Sequence, residues 1–492
     1  MEKIKKKVKK QIHEIITDYL NNTIGDHNSF GYSERFDDQG AFDDGDPICA
    51  AEGISLGIRG SNLDSELVGI SQGYEGNSLV IGGSGSGKST GPIMATLHTW
   101  KGQMVVTDPK GEHYHYYTEL YDRGLVERPA ILFDPTEEGA FKYAPYWLLK
   151  QDETDLVSNI TEIARAIAPM PPDCREPYWY ETKQAVIAAG MLYYYQRELN
   201  FSKTMTALMI RPLSETLKEL ISANDPLINM IIGSTAKLKR GELASHDREL
   251  RNTLMVFSAD QRINNAFDCT HGKDENCFSW DDLNQYHIFI RIPEERIEQW
   301  SAPIRLMLTQ LFTYLKRRPD RAVSADKPHV LLLLDEFARF GKIEGLTEAL
   351  CTLRSKNVNM LLALQSLAQL DKFYGPVERR IICDNCQYKL ILQAGDPDTQ
   401  KFLSDLIGVH KTKLRSKGTT TDADFNDKSY SRQKNEAYLP RIFPHELATL
   451  EDAILLSPFG AERLEKIRVF SENFEPLLYS QLLTAKPEQQ EN

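Results

Sequence analysis

The chain has 492 residues, of which 41% are apolar and 26% charged, and its formal net charge is −12. That length exceeds what one hydrophobic core commonly serves, and the composition excludes a disordered or fibrous chain. An acidic whole leaves nucleic-acid contact to local basic surface, and seven irregularly spaced cysteines argue for a reducing compartment and against a disulfide framework.

The first element is "MEKIKKKVKKQIHEIITDYL". Its Ile4, Val8, Ile12, Ile15, Ile16 and Tyr19 recur at helical spacing with lysines between them, so it reads as a basic amphipathic helix. It never becomes apolar enough for a signal-peptide core, and no stretch of the chain approaches the ~18–20 continuous apolar residues that cross a bilayer. Two readings stay open: a solvated helix packed on the main body, or one that binds a membrane surface or a partner. "SFGYSERFDDQGAFDDGDP" follows as a polar, acidic, turn-rich linker, and the two together make up residues 1–47.

From Ser78 the texture changes. "SLVIGG", "QMVVTDP" and "AILFDP" are short apolar runs that end in Gly, Asp or Pro, the pattern of buried parallel strands opening onto a ligand crevice. Between about Lys150 and Trp280 the strand signal vanishes, and segments such as "DLVSNITEIARAIAPM" carry helical apolar spacing. Strand texture resumes in "YHIFIRIP", "HVLLLLDEF", "VNMLLALQ" and "CQYKLILQAG", and "PHELATLEDAILLSPFG" closes the unit. The expected organisation is an α/β domain with a mainly parallel sheet, over residues 48–149 and 281–480, interrupted by an all-α domain at 150–280. Residues 411–435 read as an exposed hairpin or flexible loop, and 481–492 as a disordered tail.

"LVIGGSGSGKSTGPIM" matches the pattern G-x-x-x-x-G-K-S/T at Gly82, Gly87, Lys88 and Ser89, with a strand before it and a helix after it. Glycines let the backbone wrap closely around oxygen atoms, and successive N–H groups with the helix N-terminus supply positive potential to a polyphosphate. The cradle is therefore Gly82, Gly83, Ser84, Gly85, Ser86, Gly87, Lys88, Ser89 and Thr90. Lys88 is expected at the β- and γ-phosphates and the Ser89 hydroxyl at Mg²⁺. No N-K-x-D guanine-reading element occurs, which favours adenine and hence ATP.

"HVLLLLDEFARFG" delivers Asp335 and Glu336 to the same crevice. Asp335 is placed to hold Mg²⁺, and Glu336 to orient and deprotonate the attacking water. The picture is a triphosphate at the tips of adjacent parallel strands, gripped by the lysine on one side and the acidic pair on the other. "VNMLLAL" ends in Gln365, where an amide can bond the γ-phosphate and report its loss. Arg354 comes too late on the preceding helix to serve its own Lys88. It is either a surface arginine closing that helix or a finger reaching a neighbour's γ-phosphate.

Lys411, Lys413, Arg415 and Lys417 alternate, so one face of a hairpin is cationic; DNA backbone contact and a charge-protected edge strand both fit. "KLKRG", ending at Gly241, is a second basic cluster with the same two readings. Cys383-x-x-Cys386 lacks the second pair a zinc site needs and reads as two buried thiols.

"GGSGSGKST", "VVTDPKGEHY", "LLLLDEFARFG", "LRSKN" and "LALQSLAQLDKFYG" together resemble the VirD4/TraG coupling proteins of type IV secretion and conjugation. The first and third motifs occur in many motor ATPases. The element Asp108-Pro109-Lys110-Gly111-Glu112 and the block "YLPRIFPHELATLEDAILLSPFG" are far more specific, and the likeness runs from about Gly53 to Phe474. The resemblance implies a RecA-like P-loop ATPase domain with an all-α insertion, assembling as a ring, a homo-hexamer, with ATP between subunits; because ring assembly then lacks the support of a membrane segment, a monomer is an expected state of the isolated chain. It implies Lys88 and Ser89 at ATP and Mg²⁺, Asp335 and Glu336 as the second motif pair, Gln365 as sensor and Arg354 as the finger supplied in trans. It further implies a cytoplasmic protein at the inner face of the cell membrane that hands DNA with its relaxase, or a protein effector, to the secretion channel. Many members carry N-terminal transmembrane helices that this sequence lacks, so a membrane-anchoring subunit, or the basic helix itself, is expected to take their place. A recruitment platform with ATP controlling assembly, and a chromosomal DNA translocase, are the alternatives.

Overall fold

A computed structural model describes residues 52–60, 65–151, 154–171, 174–270, 273–322, 328–421 and 427–478. The expected basic helix, the acidic linker through residue 47 and the 481–492 tail lie outside the described residues. In chain order the strands are β1 (Gly53–Arg59), β2 (Glu66–Ser71), β3 (Ser78–Ile81), β4 (Gln103–Asp108), β5 (Ala130–Phe133), β6 (Lys142–Tyr143), β7 (Cys277–Phe278) and β8 (His287–Arg291). They continue as β9 (Val330–Leu334), β10 (Val358–Leu364), β11 (Tyr388–Ile391), β12 (Val409–Thr421), β13 (Asp427–Pro440), β14 (Ala453–Ser457) and β15 (Gly460–Leu464).

Nine strands form the central sheet in the order β15-β14-β11-β3-β10-β9-β4-β8-β5. The run from β11 to β5 is parallel, and β14 joins β11 antiparallel with β15 hairpinned onto it. Both faces are covered, which is why β9 and β10 are unbroken apolar runs and not alternating ones. Leu332 and Leu334 pack with Met360, Leu362 and Leu364 on one face, while Leu331 and Leu333 pack with Leu361 and Ala363 on the other. Each such leucine contributes about 1.5–3 kcal/mol by leaving water. The antiparallel pair β1–β2 is tied to Glu465, the residue after β15, by paired backbone bonds with Ile58 and packs on the second face.

Between β6 and β7 every described element is helical, including Leu156–Ile167, Pro177–Tyr195, Phe201–Ile210, Leu213–Ser222, Pro226–Ile232, Arg240–Ser258 and Gln261–Ala266. Asn200, Asp225 and Asp260 cap three of these by accepting first-turn N–H groups. The helices share one core with the sheet: Phe133 of β5 meets Phe267, which in turn packs against Phe201 of the helix Phe201–Ile210. The spacing argued against a disulfide framework; Cys269 and Cys277 are nonetheless bonded to each other. Among the described residues this is the one bridge, local, between cysteines eight positions apart at the return from the helices. Cys383 and Cys386 are buried free thiols; burial pushes Cys383 up to about 11 and Cys386 further. No helix among the described residues is long and apolar enough to cross a membrane.

At the expected hairpin, β12 and β13 form a long antiparallel ribbon whose backbone pairs Val409 with Pro440 and Thr419 with Tyr430. Lys411, Lys413, Arg415 and Lys417 fall at alternate positions of β12. The Lys411 ammonium lies 2.7 Å from Glu436. In the other basic cluster, Lys239 is the residue before helix Arg240–Ser258.

Candidate functional site

The glycine-rich loop leaves the tip of β3 and closes at a kinked turn, Ser89–Ile93, that leads into helix Met94–Thr99. Gly85 and Gly87 take φ of +75° and +92°, values that favour glycine, and a Cβ on Gly82 would stand 2.3 Å from Ser86 Oγ. Lys88 stands just before that turn and is buried, with its ammonium donating to the carbonyls of Gly82 and, at 3.3 Å, Gly83. Burial lowers its pKa, opposed by the charges of Asp335 and Glu336; lysine and acidic pair both follow parallel strands of one sheet and so lie along the edge where those strands end.

The sheet order explains how they meet. β3 and β9 are not neighbours: β10 lies between them, bonded to both. The expected adjacency is therefore corrected by one strand, and the inserted strand is the one that ends at Gln365. Its Nε2 donates to Glu336 Oε1 at 2.9 Å, so the Gln365 amide touches the acidic pair directly. Glu336 has φ +49°, a left-handed conformation that costs a non-glycine residue roughly 1–3 kcal/mol and turns the chain sharply at the strand end. Its other oxygen accepts from Arg339 Nη1 at 2.8 Å.

Asp335 is buried. Thr107 Oγ1 donates to its carbonyl at 3.1 Å, and His113 Nε2 stands 3.1 Å from its Oδ2. Its Oδ1 is buried with no protein partner. Asp108 holds the turn that brings in His113: its two carboxylate oxygens accept from the N–H groups of Gly111 and Tyr114, each at 2.8 Å. Next to that turn, Arg291 Nη1 donates to buried Asp134 at 2.7 Å.

Arg354 is elsewhere. It sits in the turn Leu353–Lys356 before β10, half exposed, with Nε 3.2 Å from Glu75. Gln365 is at the far end of the same seven-residue strand, roughly 23 Å away at 3.3 Å per residue. The structure thus unites Lys88, Asp335, Glu336 and Gln365 and leaves Arg354 outside, as its late position on the helix requires. Reading the residues alone misses His113 and Arg339. Arg339, three residues after Glu336, was open to detection by local spacing; His113 carried no such signal, because only the pairing of β4 with β9 aims it at Asp335.

The residues present fit a magnesium nucleotide. Gly85 and Gly87 hold the left-handed turn of the loop, the Lys88 ammonium bonds back onto its Gly82 and Gly83 carbonyls, and the orphaned Asp335 Oδ1 is an acceptor with no protein donor.

VirD4 of Agrobacterium fabrum is 22% identical over 449 residues, covering 85% of this chain and 62% of its own length. TraG of Escherichia coli is 22% identical over 385 residues, covering 73% and 60%. The chain thus spans about three fifths of the curated relatives it matches. Among solved structures, the plasmid coupling protein TrwB in complex with ADP and Mg²⁺ superposes with a TM-score of 0.61 at 16% identity, covering 80% of this chain and 85% of that one. That likeness carries the fold, a RecA-like P-loop domain with a mostly parallel sheet. Residues 61–490 match the model of the family described as type IV secretory system conjugative DNA transfer, and the chain belongs to that family.

Proposed function

We propose that this chain is an ATP-hydrolysing coupling protein, which recruits DNA with its relaxase, or an effector, to a type IV secretion channel and drives its transfer. One observation carries the reading: Lys88, Asp335, Glu336 and Gln365 converge at the ends of β3, β9 and β10. TrwB bound to ADP and Mg²⁺, and to a non-hydrolysable ATP analogue, supports ATP and Mg²⁺ as what this cleft takes.

The loop Gly82–Thr90 wraps the phosphates with backbone N–H groups, and Lys88 neutralises the γ-phosphate end. Ser89 and Asp335 hold Mg²⁺, which supplies charge compensation at the phosphates. Glu336 takes the proton of the attacking water as its oxygen bonds to the γ-phosphorus and the β-phosphate oxygen leaves with ADP. Gln365, already on Glu336, links that carboxylate to the γ-phosphate. Arg354 completes a neighbouring subunit's site in a homo-hexameric ring. Residues 150–280 act as the all-α domain where cargo docks, Lys411, Lys413, Arg415 and Lys417 contact DNA backbone, and a membrane-anchoring subunit holds the protein at the cytoplasmic face.

The test is ATP turnover of the full chain with and without single-stranded DNA. DNA-stimulated turnover that disappears in Lys88→Ala is the expected result. Unimpaired recruitment of DNA and relaxase by an ATPase-dead variant would replace the motor with a recruitment platform, and turnover independent of any secretion component would favour a general translocase.

A further inference from the structure

His113 has no part in the chemistry described above, yet it is among the most enclosed polar side chains in the molecule, with 1% of its side chain exposed. An apolar residue would fill a core position without desolvating two ring nitrogens. Here one nitrogen, Nδ1, is buried without a protein partner, and the other spends its hydrogen bond on Asp335.

The surrounding turn is organised around that one contact. Asp108 ties Gly111 and Tyr114, on either side of His113, by two 2.8 Å hydrogen bonds. Gly111 has φ +78°, and a Cβ there would lie 2.6 Å from Arg291 Nε, so the turn closes only with glycine. Thr107, at the end of β4, holds the Asp335 carbonyl, fixing the backbone from which the carboxylate extends. A carboxylate only accepts, so Nε2 carries the hydrogen and donates to Oδ2. That leaves Oδ1 as the one oxygen of Asp335 without a protein partner.

We propose that His113 is a positioning residue for the metal site: by engaging Oδ2 it locks the Asp335 carboxylate so that Oδ1 faces the divalent cation. The proposal rests on the nucleotide reading above. It assigns the Asp108–His113 turn a role as the outer support of a metal-holding carboxylate, a kind of support whose loss costs about 10–100-fold in metal affinity.

Mn²⁺, a paramagnetic substitute for Mg²⁺, provides a readout separate from turnover. Free Mn²⁺ is measured by electron paramagnetic resonance with the full chain and ADP present, and binding of a fluorescent ADP analogue is measured separately in EDTA. His113→Leu is expected to weaken Mn²⁺ binding about 10–100-fold with ADP affinity in EDTA unchanged, and His113→Gln, which keeps a donor, to recover part of the loss. A folded His113→Leu protein that binds Mn²⁺ as wild type does overturns the proposal. Should His113→Leu fail to fold, His113→Gln carries the test: a loss of several-fold supports it, and wild-type affinity in both His113→Gln and His113→Asn overturns it. Wild-type uptake of Mn²⁺ and ADP with indifferent variants refutes the positioning role alone; a wild-type chain that takes up neither refutes the nucleotide reading as well.

Discussion

His287 opens β8 at the edge where the parallel strands begin, and His113 lies just past the other edge, where they end. Both are buried, and they titrate in opposite directions. At His287, burial lowers the pKa to about 3, helped by the charge of Arg128, and Nδ1 accepts from the Met104 N–H at 3.0 Å as a neutral ring. At His113, burial again disfavours the cation, but the hydrogen bond to Asp335 and the charges of Asp108, Asp335 and Glu112 outweigh it and raise the pKa. Burial alone makes a histidine a structural acceptor; burial among carboxylates makes it part of a charged site. The beginning edge is scaffold, with Arg354 half exposed upon it, and the ending edge gathers Lys88, Asp108, Asp134, Asp335 and Glu336.

The strongest way to break that contrast is to ask whether the beginning edge takes part in chemistry after all. Arg354→Ala is expected to lower ATP turnover by about 10³-fold or more while leaving nucleotide binding in place. Mixing it with Lys88→Ala should restore part of the activity through composite sites; no rescue between folded, assembling variants would confine the site to one chain. At the ending edge, Glu336→Gln should cut turnover by about 10²–10⁴-fold in a steady-state assay, with the ADP analogue still bound. Gln365→Ala removes one hydrogen bond to a charged group, worth about 1.5–3 kcal/mol, and should slow turnover roughly ten- to a hundredfold.

The smallest effect concerns the scaffold itself. Because the folded pKa of His287 is depressed, the unfolded chain binds the extra proton first as pH falls through about 6.5. Its stabilising contribution is complete above that pH and is lost on descent toward 3, at roughly 1.4 kcal/mol per pH unit. Urea midpoints between pH 7 and 4.5 should fall accordingly. His287→Asn, which keeps an acceptor for the Met104 amide, should flatten the dependence by one proton.

Much of this was legible in the residues because the relevant chemistry is local. A glycine turn ending in Lys88-Ser89 carries its own backbone geometry, and four leucines before Asp335-Glu336 need no distant partner to read as a buried strand. Arg339 was within reach on the same terms. The His113–Asp335 contact joins residues 222 apart, and nothing near either one announces it. The Cys269–Cys277 bridge is different: its cysteines are only eight positions apart, and it was missed because one close pair among seven irregularly spaced cysteines does not announce a disulfide.

Nearest-neighbour sterics and short-range hydrophobic patterning therefore determined from sequence where the phosphate loop and the acidic strand lie and that a run of helices follows β6. Strand order was decided only in three dimensions: placing β10 between β3 and β9 sets Gln365 against Glu336, and placing β4 beside β9 sets His113 against Asp335. The physical reason is that strand runs buried on both faces are interchangeable as far as periodicity goes. What orders them is the packing of their connecting helices and the satisfaction of polar groups at their ends, and both exist only once the chain has closed on itself.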